Sequence, residues 1–101
     1  MKVVINRCYG GFGVSDECAV ALGAVIKQLG DHFYQDFPNG KWVQDYRTDP
    51  KLIHLMETKG SEWCSGSYSN LKVVEIPDDV NWEIRDYDGM ETIEGVHQSW
   101  R

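Results

Sequence analysis

The sequence predicts an α+β domain: a mixed sheet of four to five strands, two helices packed on one face, and a C-terminal β-hairpin. Three observations carry this expectation. Val3-Val4-Ile5 and Leu71 to Ile76 are near-continuous apolar runs, the pattern of strands buried on both faces. Two stretches, Asp16 to Leu29 and the segment opened by Thr48-Asp49-Pro50, carry apolar residues at helical spacing. Asp88-Gly89 stands between two strand-like segments as a two-residue turn signal. At 101 residues the chain is one domain. A chain of this size buries about 60–65% of its unfolded surface, and domains so small gain security by oligomerising.

Taken in order, Lys2 to Cys8 reads as the first strand. Gly10, Gly11 and Gly13 then allow a sharp turn, and Ser15 is a good helix N-cap with Asp16 and Glu17 in the first turn. The first helix is expected from Asp16 to Leu29, with Ala19, Leu22, Ile26 and Leu29 on one stripe and Gly30 as its stop. Asp31 to Arg47 is irregular and rich in rings, with Asn39-Gly40 as a tight turn. It reads as a short hairpin or an aromatic loop that serves as a lid or partner surface. The second helix places Leu52, Leu55 and Met56 on one face and ends at Gly60. Ser61 to Asn70 is small and polar, a surface loop.

Leu71 to Ile76 is the next strand, expected beside the first. Trp82–Tyr87 and Met90–Val96 form the hairpin. Its register sets Tyr87 opposite Met90, Asp86 opposite Glu91, Ile84 opposite Ile93 and Glu83 opposite Glu94. Trp82, Ile84 and Ile93 then face the core. Two like-charge pairs result, which are mildly destabilising unless a cation sits nearby; Arg85 is the candidate for the Glu83–Glu94 pair.

Composition narrows the function classes. The formal charge is −6, and eight carboxylates stand between Glu75 and Glu94 against one base, Arg85. Such a surface argues against duplex nucleic acid as partner. No apolar run approaches the ~18 residues of a membrane span, and Met1-Lys2 leads straight into strand-like sequence. Three cysteines, without C-x-x-C spacing, suit a reducing compartment. A cytoplasmic protein without a membrane partner is expected. Four Trp, five Tyr and three Phe are many for this length, so some rings should line a pocket or a subunit interface. A homodimer or larger homo-oligomer follows as an expectation.

Asn6 to Ser15 is the leading candidate site. Glycine N–H groups there would hold anionic oxygens, Arg7 would add charge, and Tyr9 or Phe12 would stack on a ring. The site residues expected are Asn6, Arg7, Tyr9, Gly10, Gly11, Phe12 and Ser15, with His97 and Trp100 as a further wall or subunit contact. The plainer reading is a strand-to-helix corner that needs glycine, with Arg7 answered by the acidic hairpin and the rings in the core. Asp16 and Glu17 would repel an anion. The glycines match neither a Walker loop nor a dinucleotide fingerprint. Cys8 as a nucleophile would need a base, and His32, His54 and His97 cannot be placed from sequence. No zinc or calcium spacing is present, and no metal or cofactor is expected.

Lys2-Val3-Val4-Ile5-Asn6-Arg7-Cys8-Tyr9-Gly10-Gly11-Phe12-Gly13 resembles the opening of a family of small phage and prophage proteins without an assigned activity. Leu71 to Val80, Trp82-Glu83-Ile84, Tyr87-Asp88-Gly89, His97 and Trp100 resemble that family's C-terminal block. Residues 30 to 65 do not match closely. The resemblance implies a phage source and a protein made in the host cytoplasm to redirect host systems. Joined to the glycine loop and the rings, it leads us to expect an accessory protein that sequesters a small anionic host molecule, such as a signalling nucleotide of an antiviral pathway. Two other readings stand beside it: a protein–protein inhibitor using the acidic hairpin face, and a small hydrolase using Cys8 or a histidine.

Overall fold

The two apolar runs do pair. In the computed structural model, which describes residues 1–95 and 98–101, β1 (Lys2–Asn6) lies antiparallel to β4 (Leu71–Glu75), from Lys2 opposite Glu75 to Asn6 opposite Leu71. Strand alternation divides their side chains between two cores. Val4 and Leu71 face a cluster formed with α1 (Asp16–Ala21), α2 (Pro50–Lys59) and α3 (Ser61–Cys64). Val3, Ile5, Val74 and Ile76 face a second cluster, where Ile93 and the rings of Trp82 and Trp100 close over them. The ribbon is thus the middle layer, with helices on one side and the C-terminal sheet on the other. The α+β class holds, and the helices share one face as expected.

Local chemistry explains the best-matched elements. Asp49 caps α2 by accepting the Lys51 N–H at 2.8 Å, Pro50 opens it and Gly60 closes it. Leu52 and Met56 are buried, with Leu55 packed beside them. The hairpin β5 (Glu83–Tyr87) and β6 (Met90–Glu94) has the expected register, Tyr87 opposite Met90 through Glu83 opposite Glu94. Arg85 Nε lies 3.1 Å from Glu83 and 3.2 Å from Glu94, so the cation expected for that pair is in place. A short β7 (Ser99–Trp100) pairs with β6, Trp100 opposite Ile93. Trp100 therefore packs on its own chain's core.

Three expectations need correction. The strands do not form one mixed sheet. Among the described residues they make three antiparallel sheets of two, two and three strands. On the free edge of β1, Arg47 (backbone and side chain) and the Glu91 side chain stand in place of another strand. Val4 N–H donates to the Arg47 carbonyl at 2.8 Å, Arg47 Nη1 donates to the Val4 carbonyl at 3.1 Å, and Asn6 N–H donates to Glu91 Oε1 at 2.8 Å. Both backbone groups of Val4 and the N–H of Asn6 are thus satisfied without a further strand.

Second, the expected helix from Asp16 to Leu29 stops at Ala21. Gly23 takes φ +99°, and Val25–Leu29 forms β2, paired with β3 (His32–Asp36). The β-branched Val25-Ile26 pair favours strand once glycine has broken the helix. The hairpin in this region thus lies earlier than Asn39-Gly40, which sits in a 3-10 turn, Pro38–Gly40. Third, the segment after Gly60 is not all surface loop: α3 makes one helical turn and buries Cys64.

The Asp88-Gly89 turn presses on the glycine loop. A Cβ at Gly89, where φ is +90°, would stand 2.4 Å from Gly11 N and 2.5 Å from Gly10 C. Both contacts are with backbone, which has little room to move. Gly89→Ala should therefore destabilise the fold by about 1–3 kcal/mol, read as a lower urea midpoint with an unchanged slope.

Candidate functional site

The loop after β1 is held from below by Asn6, which is fully buried. Its Nδ2 donates to the carbonyls of Cys8 at 2.8 Å and Gly89 at 2.7 Å. Its Oδ1 accepts the Asn70 N–H at 2.7 Å. One amide thus joins the loop, the hairpin turn and the start of β4. The adjacent Gly10 N–H donates to the Asp88 carbonyl at 3.0 Å. On Gly10's other side a Cβ would meet the Tyr68 carbonyl oxygen at 2.0 Å.

Glu91 and Arg47 form the second support. Glu91 is 2% exposed, and its carboxylate takes Arg47 Nη1 at 2.7 Å and Nη2 at 2.5 Å. The guanidinium also lies over the Phe12 ring, 4.0 Å from its centroid. A bidentate, desolvated pair with a ring on the guanidinium face is a strong and directional arrangement. It answers the second like-charge pair of the hairpin, because Glu91 turns inward to Arg47 while Asp86 accepts the Gly89 N–H at 2.7 Å. Arg47 carried no signal in the sequence. The charge on Glu91 suggested solvent, and its alternation with Ile93 was the only hint of burial.

On these supports lies a cleft of about 670 Å³. One wall runs from Gly10 to Glu17, the other from Ser65 to Ser69, and Gln35 of β3 reaches one side. The walls are stitched together at their base. Ser69 Oγ donates to the Gly13 carbonyl at 2.7 Å, Ser15 N–H donates to the Cys64 carbonyl at 2.8 Å, and Ser15 Oγ donates to the Trp63 carbonyl at 2.7 Å. Gln35 Nε2 donates to the Val14 carbonyl at 2.9 Å and to Asp16 Oδ1 at 3.0 Å. Among the described residues, the N–H groups of Gly11, Phe12 and Gly13 have no protein acceptor. The charged residues of the lining are Asp16 and Glu17, both acidic.

The expected site residues fall into separate places. Gly10, Gly11, Phe12 and Ser15 line the cleft. Asn6 lies beneath it with its hydrogen bonds spent. Arg7 turns toward the hairpin, where Nη1 donates to the Glu91 carbonyl at 2.7 Å. Tyr9 is exposed and meets Tyr87 edge-on, centroids 6.5 Å apart. Trp100 belongs to the second core. His97 lies outside the described residues. Sequence alone reads the Ser65–Ser69 wall as plain loop, and its run of small polar residues between α3 and β4 is the signal that marks it.

The thiols bear on catalysis. Cys8 Sγ contacts the Asn6 side-chain oxygen and the Tyr68 carbonyl, each at 3.4 Å. Cys18 and Cys64 are fully buried against each other. Burial, with Cys64 adding to it, pushes the Cys18 thiol up to about 12, and burial also raises Cys64. Among the described residues no group of three His, Cys, Asp or Glu could hold a metal ion, and no helix is long and apolar enough to cross a membrane. No family model, curated protein or solved structure matches the chain.

Removing one partner of the buried pair should be costly. Arg47→Met or Glu91→Gln is expected to lower stability by about 3–5 kcal/mol. The double variant should lose less than the sum of the two, as a double-mutant cycle by urea unfolding would show. The thiols should label unequally: at pH 8 the native protein should react with a thiol reagent at Cys8 alone, and all three cysteines should react once it is unfolded.

Proposed function

We propose that this chain is a phage accessory protein that binds a small anionic molecule and sequesters it unchanged. A signalling nucleotide of a host defence pathway is the ligand we favour, held in the host cytoplasm by a homodimer or larger assembly. The single observation that carries the reading is the cleft itself. Three consecutive N–H groups without protein acceptors lie on a backbone held from below by Asn6 and by the Arg47–Glu91 pair. Such a row of donors suits phosphate or carboxylate oxygens. The phage source rests on the two terminal blocks of sequence.

The acids of the lining shape the reading. Asp16 and Glu17 would repel phosphate, so the anionic end of the ligand belongs at Gly11–Gly13, at the end of the cleft away from the carboxylates. Tyr68, 81% exposed at the cleft edge, offers a face for stacking. Sequestration is favoured over turnover because, among the described residues, Cys8 touches oxygen acceptors and no base, and the other two thiols are buried. The inhibitor reading loses ground, since Glu91 is internal and Glu83 and Glu94 share Arg85.

Titration calorimetry against a panel of cyclic and linear nucleotides tests the proposal. At least one should bind and be recovered intact after the complex is denatured. Asp16→Asn and Glu17→Gln should each tighten that binding by about twofold to fivefold, the effect of removing one partly exposed repulsive charge. Absence of binding by every member of the panel removes the reading.

A further inference from the structure

The β2–β3 hairpin stands outside both cores. Eight of its ten strand residues are exposed, including Leu29 at 73% and Phe33 at 67%. Only Ile26 and Gln35, which face each other, turn toward the body. A two-stranded hairpin in water is marginal, and it becomes stable when a third strand or a packing surface is added. Among the described residues no further strand joins it.

We infer that β3 pairs with β3 of a second copy, giving a continuous sheet in the order β2–β3–β3–β2 across a two-fold axis at Tyr34. The register follows from the hairpin. Leu29 and His32 flank the two-residue turn, so they are a hydrogen-bonded pair, as are Lys27–Tyr34 and Val25–Asp36. The N–H and C=O groups of His32, Tyr34 and Asp36 therefore point to β2, and those of Phe33 and Gln35 point to the open edge. Axes at Phe33, Tyr34 or Gln35 would all pair outward groups, and the axis at Tyr34 is the one that overlaps the whole of His32–Asp36: Phe33 of each copy then exchanges both backbone hydrogen bonds with Gln35 of the other. Tyr34 then faces its own copy at the axis, and His32 comes opposite Asp36, an imidazole N–H donor against a carboxylate acceptor. Beside this edge lies a groove of about 590 Å³ bordered by Trp42, itself 75% exposed. The exposed rings gain neighbours when the edges join.

Charge favours a second copy as the occupant. Between Val25 and Trp42, Lys27 and Lys41 balance Asp31 and Asp36, although the whole chain carries −6. Two copies meeting here bring no net charge together, whereas contact through the acidic C-terminal hairpin would be opposed by repulsion. This isologous interface requires no ligand, so it stands or falls apart from nucleotide binding.

Sedimentation equilibrium on the full chain, with two kinds of variant, decides the matter. Phe33→Pro removes the outward N–H without touching the β2 ladder, a position where an edge strand accepts proline. It should weaken the dimer at least about tenfold and leave the far-ultraviolet circular dichroism native. Tyr34→Cys places two thiols across the axis, where facing Cα atoms of a non-hydrogen-bonded pair lie about 4.5 Å apart. That is within reach of a disulfide, so mild oxidation should give a covalent dimer, whereas wild type and Leu29→Cys should give none. A wild-type chain that sediments as monomer at every concentration overturns the proposal. So does a dimer that Phe33→Pro leaves intact, or one that cross-links through Leu29→Cys and not Tyr34→Cys.

Discussion

The pairing of Arg47 with Glu91 is the interaction on which the rest of the molecule depends. Each oxygen of Glu91 takes one nitrogen of the guanidinium, and Glu91 Oε1 also accepts the backbone of β1. Arg47 in turn bonds both backbone groups of Val4 and lies over Phe12. Four segments distant in sequence thus meet at one ion pair: β1, the glycine loop, the approach to α2, and β6. A buried charge pair is costly to desolvate, and it persists where every remaining donor and acceptor is satisfied. Here that condition is met, since no buried side-chain polar atom lacks a partner among the described residues. The pair does the work of a strand on the open edge of β1, which is why the ribbon stays two-stranded.

The glycine loop is understood from this support. Of its glycines, Gly10 answers packing. Gly10 passes between the Tyr68 carbonyl and the Asp88-Gly89 turn, and side chains there would strike backbone. The loop also carries three consecutive N–H groups, at Gly11 to Gly13, without a protein acceptor among the described residues, and it lines a cleft whose far wall is Ser65 to Ser69. Arg7, the obvious cation in the sequence, serves the hairpin instead.

The uneven use of apolar residues has the same origin. The ribbon and helices fill two cores, and of the rings left exposed, Phe33, Tyr34 and Trp42 lie on the β2–β3 hairpin and the segment that follows it. A chain of this length cannot cover them all by itself. A second copy at the β3 edge would extend a two-stranded sheet, and that sheet already contributes Gln35 to the side of the cleft.

The elements legible in the sequence were those determined by neighbours along the chain. The apolar runs of β1 and β4, the Asp49-Pro50 start and Gly60 end of α2, and the register set by Asp88-Gly89 all follow from local backbone preference and side-chain period. Arg85 could be matched to Glu83 and Glu94 because it lies between them in the hairpin. Tertiary structure decided the rest. Ala19, Leu22, Ile26 and Leu29 have helical spacing, yet Gly23 and the β-branched pair after it turn the last two into a strand, and Leu29 faces solvent. Glu91 reads as one more surface acid until Arg47, 44 residues away, is brought beside it. The second wall of the cleft joins the glycine loop across 56 residues, through Ser69 and Gly13. Local propensity carries no information about such partners, because the energy that selects them comes from desolvation and hydrogen bonding between segments that meet only when the chain has folded.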